Sequence, residues 1–248
     1  MIGALGGLIG LGGAEFRLPL LIGIFRFAAL EAVILNKAMS LVVVASALPF
    51  RLTTVPMAAI AVHWTVIVNL LAGSLLGAWL GAGWATRLRS ETLYRVIAVL
   101  LVAIAVALLF GHNPSGGGHA LLSGWLQAVA GVAAGFVIGG IAALMGVAGG
   151  ELLIPTLVLL FGLDLKLAGS LSLAISLPTM IVGFARYSQD ATFAVLRRNL
   201  GFVVTMAAGS VVGTFIGALL LKIIPSFAIL PFLAVILLLS AVKVWRHK

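Results

Sequence analysis

Long apolar runs dominate the chain. Residues 52–86, 96–150, 199–221 and 223–242 contain no charged side chain, and each reaches or exceeds the ~20 residues that cross a bilayer as a helix. The pattern predicts an all-α membrane protein with eight apolar segments, at roughly 1–24, 28–50, 57–86, 93–110, 120–162, 167–185, 199–221 and 225–242. The first and fifth are broken by glycines.

Composition agrees with the pattern. Hydrophobic residues make up 63% of the 248 positions and charged residues 8%, against about 25% charged in a soluble domain. A soluble enzyme, a secreted disulfide scaffold and a nucleic-acid-binding domain are excluded. The chain has no cysteine, so a disulfide, a thiolate nucleophile and a sulfur metal site are all unavailable. MIGALGGLIG carries no cationic region ahead of its apolar stretch, and is therefore not read as a cleaved signal.

The chain also resembles itself. An offset of 136 residues carries Gly10, Gly13, Glu15 and Pro19 onto Gly146, Gly149, Glu151 and Pro155, so GLGGAEFRLP matches GVAGGELLIP. In the same register Ala38, Ser40 and Leu41 meet Ala174, Ser176 and Leu177, and AGSLLGAWLGA (72–82) meets AGSVVGTFIGA (208–218) with six of eleven positions identical. Two repeats are read, 1–110 and 120–248, joined by a linker at 111–119 within a single transmembrane domain. Each has a Gly-broken segment followed by three longer ones.

The net charge of +9 is distributed as punctuation. Basic residues gather at RLRSETLYR (87–95), at Arg186 with Arg197 and Arg198, and in the terminal KVWRHK. If all three clusters share the cytoplasmic side, each repeat crosses three times, its broken segment enters and leaves on one side, and the repeats are inverted. Inverted repeats place substrate sites near the midplane, among interrupted helices. If the first segment crosses fully, the repeats are parallel. The length of 120–150 keeps that alternative open.

The chemistry is concentrated at the breaks. Gly12-Gly13-Ala14-Glu15 and Gly149-Gly150-Glu151 are each followed four residues later by a proline, Pro19 or Pro155, and both residue types interrupt helices. Backbone freed inside a bilayer is tolerated only against protein or a water-filled cavity. The N–H groups that start the next half-helix favour an anion. The plainer reading is that the glycines only permit tight packing.

Glu15 and Glu151 are two of six acidic residues, and a carboxylate at membrane depth is costly. They are candidates for proton coupling, or else caps paired to a cation such as Arg17. Lys37 sits in the second segment, with Asn36 and Ser40 four residues apart on one helix face. It reads either as an anion ligand helped by those two side chains or as a lysine snorkelling to the interface. The aligned residues of the second half are Ser172, Leu173 and Ser176, so any anion site is asymmetric.

Gly73, Gly77 and Gly81, and likewise Gly209, Gly213 and Gly217, form small-residue ridges suited to close helix packing. His63 reads as an interfacial residue beside Trp64. No spacing suggests a metal site, and no Walker loop, nucleophile elbow or HExxH motif is present. Catalysis, a metal and a cofactor are therefore not expected.

The paired GxxGxE stretches (Gly10 to Glu15 and Gly146 to Glu151) with their prolines, Asn36-Lys37-Ala38-Met39-Ser40, and a GSxxG helix in each half resemble the sulfite exporter TauE/SafE family of multi-pass permeases over essentially the whole chain. The resemblance implies a prokaryotic plasma-membrane carrier for small sulfur anions such as sulfite or sulfonates, driven by an ion gradient. By position it implies functional Gly-rich loops at Gly12, Gly13, Glu15 and Pro19 and at Gly149, Gly150, Glu151 and Pro155, and a functional pair at Asn36 and Lys37. The chain departs from the family in a short run before Gly12 and in Ala14, where a third glycine is frequent.

The leading expectation is a secondary transporter, read as an exporter, with the bilayer, a small anion, a proton or other coupling ion and a second copy of the chain as partners. An anion channel and an uptake permease for another small organic anion remain alternatives. A scaffold has no reason to keep Glu15, Lys37 and Glu151 in lipid.

Overall fold

A computed structural model describes residues 13–52, 57–110 and 120–220, together with 235, 238, 239, 241, 242, 244 and 245. Gly12, the linker at 111–119 and most of the eighth segment lie outside the described residues. Those described form helices and short connections, with no strand among them. In chain order the helices are α1 (Ala14–Gly23), α2 (Ala29–Leu52), α3 (Met57–Val62), α4 (Trp64–Ala85), α5 (Ser90–Phe110), α6 (Gly124–Met145), α7 (Gly150–Phe161) and α8 (Leu165–Tyr187). A 3-10 turn (Ala191–Phe193), α9 (Ala194–Arg198) and α10 (Leu200–Leu220) follow.

Spans within α2, α4, α6 and α8 are long and apolar enough to cross a membrane, and α9 with α10 adds a fifth if that pair, bent by 73°, is one span. The third apolar segment is two helices, because the chain turns at His63. The fifth is also two helices. α6 ends at Met145 with Gly146 as its cap, and α7 begins five residues beyond Met145, at Gly150.

Helix directions follow from side-by-side contacts. Gly73 of α4 lies against the backbone of Val132 and Phe136, Gly77 against Phe136, and Gly81 against Gly140, so α4 and α6 run the same way. α8 joins them in that direction. Its Thr179 Oγ1 is 2.7 Å from Ser74 Oγ, and the Arg186 guanidinium lies against Gly83 and 5.5 Å from the Trp79 ring centre.

α7 runs back along α6. Gly149 sits beside Ile138 and Ala142, Leu121 N–H donates to Leu159 O at 3.0 Å, and Gln127 Nε2 donates to Leu160 O at 2.7 Å. α6 and α7 are therefore a hairpin whose two ends meet. The returning arm of 12 residues is about 18 Å long at 1.5 Å per residue, so its N-terminus lies at depth.

α1 points the other way. The turn after it packs Phe25 and Phe27 on Phe202 at the start of α10, with ring centres 4.9 and 5.6 Å apart. That is the end of the molecule holding Arg186, Arg197 and Arg198. Arg95, at the same end, shares a groove with Trp245, and the basic clusters at 87–95 and 186–198 lie together. α1 thus leaves toward the basic end and α7 toward the opposite end, while their N-termini face inward. One apolar core gathers around α1, α2 and α5 and another around α4, α7 and α8.

The glycine ridge of α4 has a structural cause. A Cβ on Gly77 would overlap the Phe136 carbonyl, and one on Gly139 of α6 would overlap the Ser74 carbonyl. The ridge expected on α10 differs, since Gly209 is exposed with no described atom within 4 Å of the corresponding position. Gly77→Leu is therefore expected to abolish folded protein, whereas Gly209→Leu keeps the parent's melting temperature in detergent. Equal tolerance of both would contradict this packing.

Candidate functional site

The site is assembled where α1 and α7 begin. Gly13 precedes α1 with φ 68° and Gly149 precedes α7 with φ 80°, in the left-handed region where a side chain is strained. No side chain caps either N-terminus, so the first-turn N–H groups and the positive end of each helix dipole face the interior of the protein. Pro19 and Pro155 lie inside α1 and α7 and not at the breaks expected from them. Glycines make the interruption. Each proline removes the N–H that would bond the carbonyl four residues earlier, which is that of Glu15 or Glu151.

The opposite polarity of the break is closed by protein. Asn36 Nδ2 donates to Met145 O at 3.1 Å and to Ala14 O at 3.0 Å. Lys37 Nζ donates to Ala142 O at 3.1 Å and Val147 O at 3.2 Å, and Tyr187 Oη donates to Ala143 O at 2.9 Å. Side chains of α2 and α8 thus satisfy the carbonyls at the end of α6, where a cation also complements the helix dipole.

Arg17 occupies the centre, fully buried. Its Nε donates to Asn36 Oδ1 at 2.8 Å, Nη1 to Ser210 Oγ at 2.9 Å, and Nη2 to Ser40 Oγ at 2.6 Å. All three partners are neutral. Every acidic residue of the chain is among those described, and none forms an ion pair with it within 4.0 Å. Glu15 lies near enough to act on it through space. A buried cation whose hydrogen-bond partners are all neutral is expensive, and Glu15 offsets that only through space, which makes this guanidinium a ready partner for an anion.

Glu15 and Glu151 are 1% and 6% exposed. Their carboxyl groups face one another closely enough to interact directly, and among the described residues no donor reaches any of their four oxygens with hydrogen-bond geometry.

The family is settled by the sequence as a whole, whose profile match to sulfite exporter TauE/SafE spans residues 1–244. The chain belongs to the sulfite exporter TauE/SafE family. No curated protein and no solved structure matches it. Membership makes it a multi-pass membrane transporter of sulfur-containing anions such as sulfite, in a family of permeases and not of enzymes.

In this TauE/SafE chain the residues expected at the site divide by role. Gly13, Gly149 and Gly150 form the inward N-termini, while Gly12 is outside the described residues. Asn36, Lys37 and Ser40 are buried in the wall, bonded to backbone or to Arg17. On the second half, Ser172 Oγ donates to its own helix at Gly169 O, 2.9 Å away, and Ser176 is buried.

Sequence reasoning named Arg17 only as a partner for Glu15. The available signal was a lone arginine in the apolar stretch FRLPLLIGIF, which cannot lie in lipid unless protein surrounds it. Ser210 is the serine of the second GSxxG stretch, and its link to Arg17 across the molecule requires the tertiary structure. Lys37→Met removes two donors from buried carbonyls, at about 1–3 kcal/mol for each group left bare. It is expected to lower the melting temperature in detergent by several degrees without any anion present, and an unchanged melt would show the bonds to be dispensable.

Proposed function

We propose that this TauE/SafE chain is a secondary transporter that binds a small sulfur anion, sulfite or an organosulfonate, between the N-termini of α1 and α7. The observation that carries the reading is Arg17, a buried guanidinium with neutral partners beside two uncapped helix starts. Its fork suits the oxygens of a sulfonate or sulfite, and helix N–H groups are general anion donors. Lys37 adds a second cation in the same wall, with one of its three donors not committed to a carbonyl.

Arg17, Asn36, Lys37 and Ser40 are at most 2% exposed, so the site is occluded in this conformation. That favours a carrier over an open channel. Because α1 and α7 leave toward opposite ends, loosening one or the other would expose the site to one side at a time. We take residues 1–110 and 120–248 as inverted repeats moving in this way. The basic end faces the cytoplasm of a prokaryotic plasma membrane by the positive-inside rule, and transport is outward.

In proteoliposomes, sulfite flux is expected to saturate and to show counterflow. Flux rising linearly with concentration and without counterflow would identify a channel. Arg17→Gln should abolish saturable flux, and Arg17→Lys, which keeps the charge but loses the fork, should weaken apparent affinity by about tenfold or more, ~1.4 kcal/mol. Parent-like kinetics in both variants would remove Arg17 from the site.

A further inference from the structure

The anion reading leaves Glu15 and Glu151 without a task, and at face value they oppose it. Two carboxylates beside an anion site repel the substrate. They also repel each other, since unit charges about 4 Å apart cost about 4 kcal/mol at an effective dielectric near 20. No donor among the described residues meets these oxygens with hydrogen-bond geometry, and the Glu151 backbone N–H nearby offsets only a lesser part of the cost. A proton shared between the two groups removes it, because one carboxyl then donates to the other and the pair titrates as a unit.

A metal cation fits less well. It would need about six or more oxygen ligands, whereas the pair lies at two helix N–H ends beside the cation Arg17. Among the described residues no three metal-ligating side chains gather.

The charged and titratable groups around the pair are few. α1 supplies Arg17, on which Glu15 acts through space; of the helices that close the break, α2 carries Lys37, bonded to Ala142 O and Val147 O, and α8 carries Tyr187, bonded to Ala143 O. α4 and α10 supply only the hydroxyls of Ser74 and Ser210. With Arg17 and Lys37 counted as cations, two ionised carboxylates leave the cluster neutral. Each proton taken from water onto a carboxylate oxygen leaves one positive charge unopposed.

We propose that Glu15 and Glu151 form a proton-binding pair bridging the two half-helices, loaded together with the anion and emptied with it. This rests on the anion site proposed above. It makes the protein a proton–anion co-transporter in which the number of protons held matches the charge on the anion, so the cycle carries no net charge and outward transport runs on the outward gradient of the anion itself. Ionisation of the pair also sets two like charges against each other across the α1–α7 contact, which pushes the half-helices apart.

The test uses the purified full chain in detergent with thiosulfate and sulfoacetate, neither of which takes up protons near neutrality. Binding of either anion should be accompanied by proton uptake in weak buffer. Its affinity should rise as pH falls, by up to about tenfold per pH unit for each proton taken up. In Glu15→Gln/Glu151→Gln, where amides mimic the protonated pair, binding should persist and lose both the pH dependence and the proton uptake. Glu91→Gln, at the exposed start of α5, should behave as the parent.

Anion binding without proton uptake would overturn the proton pair and leave the anion site standing. If neither anion binds at any pH, the anion site fails and the pair's coupling role fails with it. Infrared spectroscopy of the parent keeps the first point independent of the variants. With thiosulfate bound, a protonated-carboxyl C=O stretch should be present at neutral pH and disappear on alkalinisation, and its absence would overturn the proposal.

Discussion

An interrupted backbone inside a bilayer has to account for every carbonyl and every N–H it frees, and this protein treats the two unequally. The carbonyls at the end of α6 are bonded by Asn36, Lys37 and Tyr187. The N–H ends of α1 and α7 carry glycines at their caps and no capping side chain. Water cannot compensate at that depth. The imbalance gives the interior a fixed preference for negative charge, and Arg17 adds to it.

The chain places this preference at the meeting point of its two apolar cores. α1 and α7 are short enough to begin at depth. α2 and α8 are long enough to pass the breaks and clamp them from the side. The tight α4–α6 ridge holds the α6–α7 hairpin in place, and its glycines meet partner backbone directly. Arg17 reaches Ser210 across the molecule, tying the first half-helix to α10.

Much of this was legible in the sequence, for reasons that are physical. Charge-free runs of bilayer length define the helices, and paired (Gly/Ala)-Gly-(Ala/Gly)-Glu stretches mark where they fail. The basic clusters at 87–95 and at 186–198 fall at one end because each closes an apolar run. What the sequence could not supply was direction and partnership. Asn36 and Lys37 stand out as polar residues in an apolar helix, yet nothing local says that they bond carbonyls of another helix. Arg17 and Lys37 have Leu153 and Leu173 as their aligned counterparts, so the cations come from the first half alone. His63 carried no breaker signal, and the turn there appears only in three dimensions.

The most direct measurement is the position of a heavy substrate analogue. Selenite has the charge and pyramidal shape of sulfite and can be located by anomalous scattering in crystals of the protein. The account requires its peak between Gly13 and Gly149, in contact with the Arg17 guanidinium. A bound selenite elsewhere, for example in the lipid-facing groove lined by Asn69, Gly73 and Phe136, would contradict it.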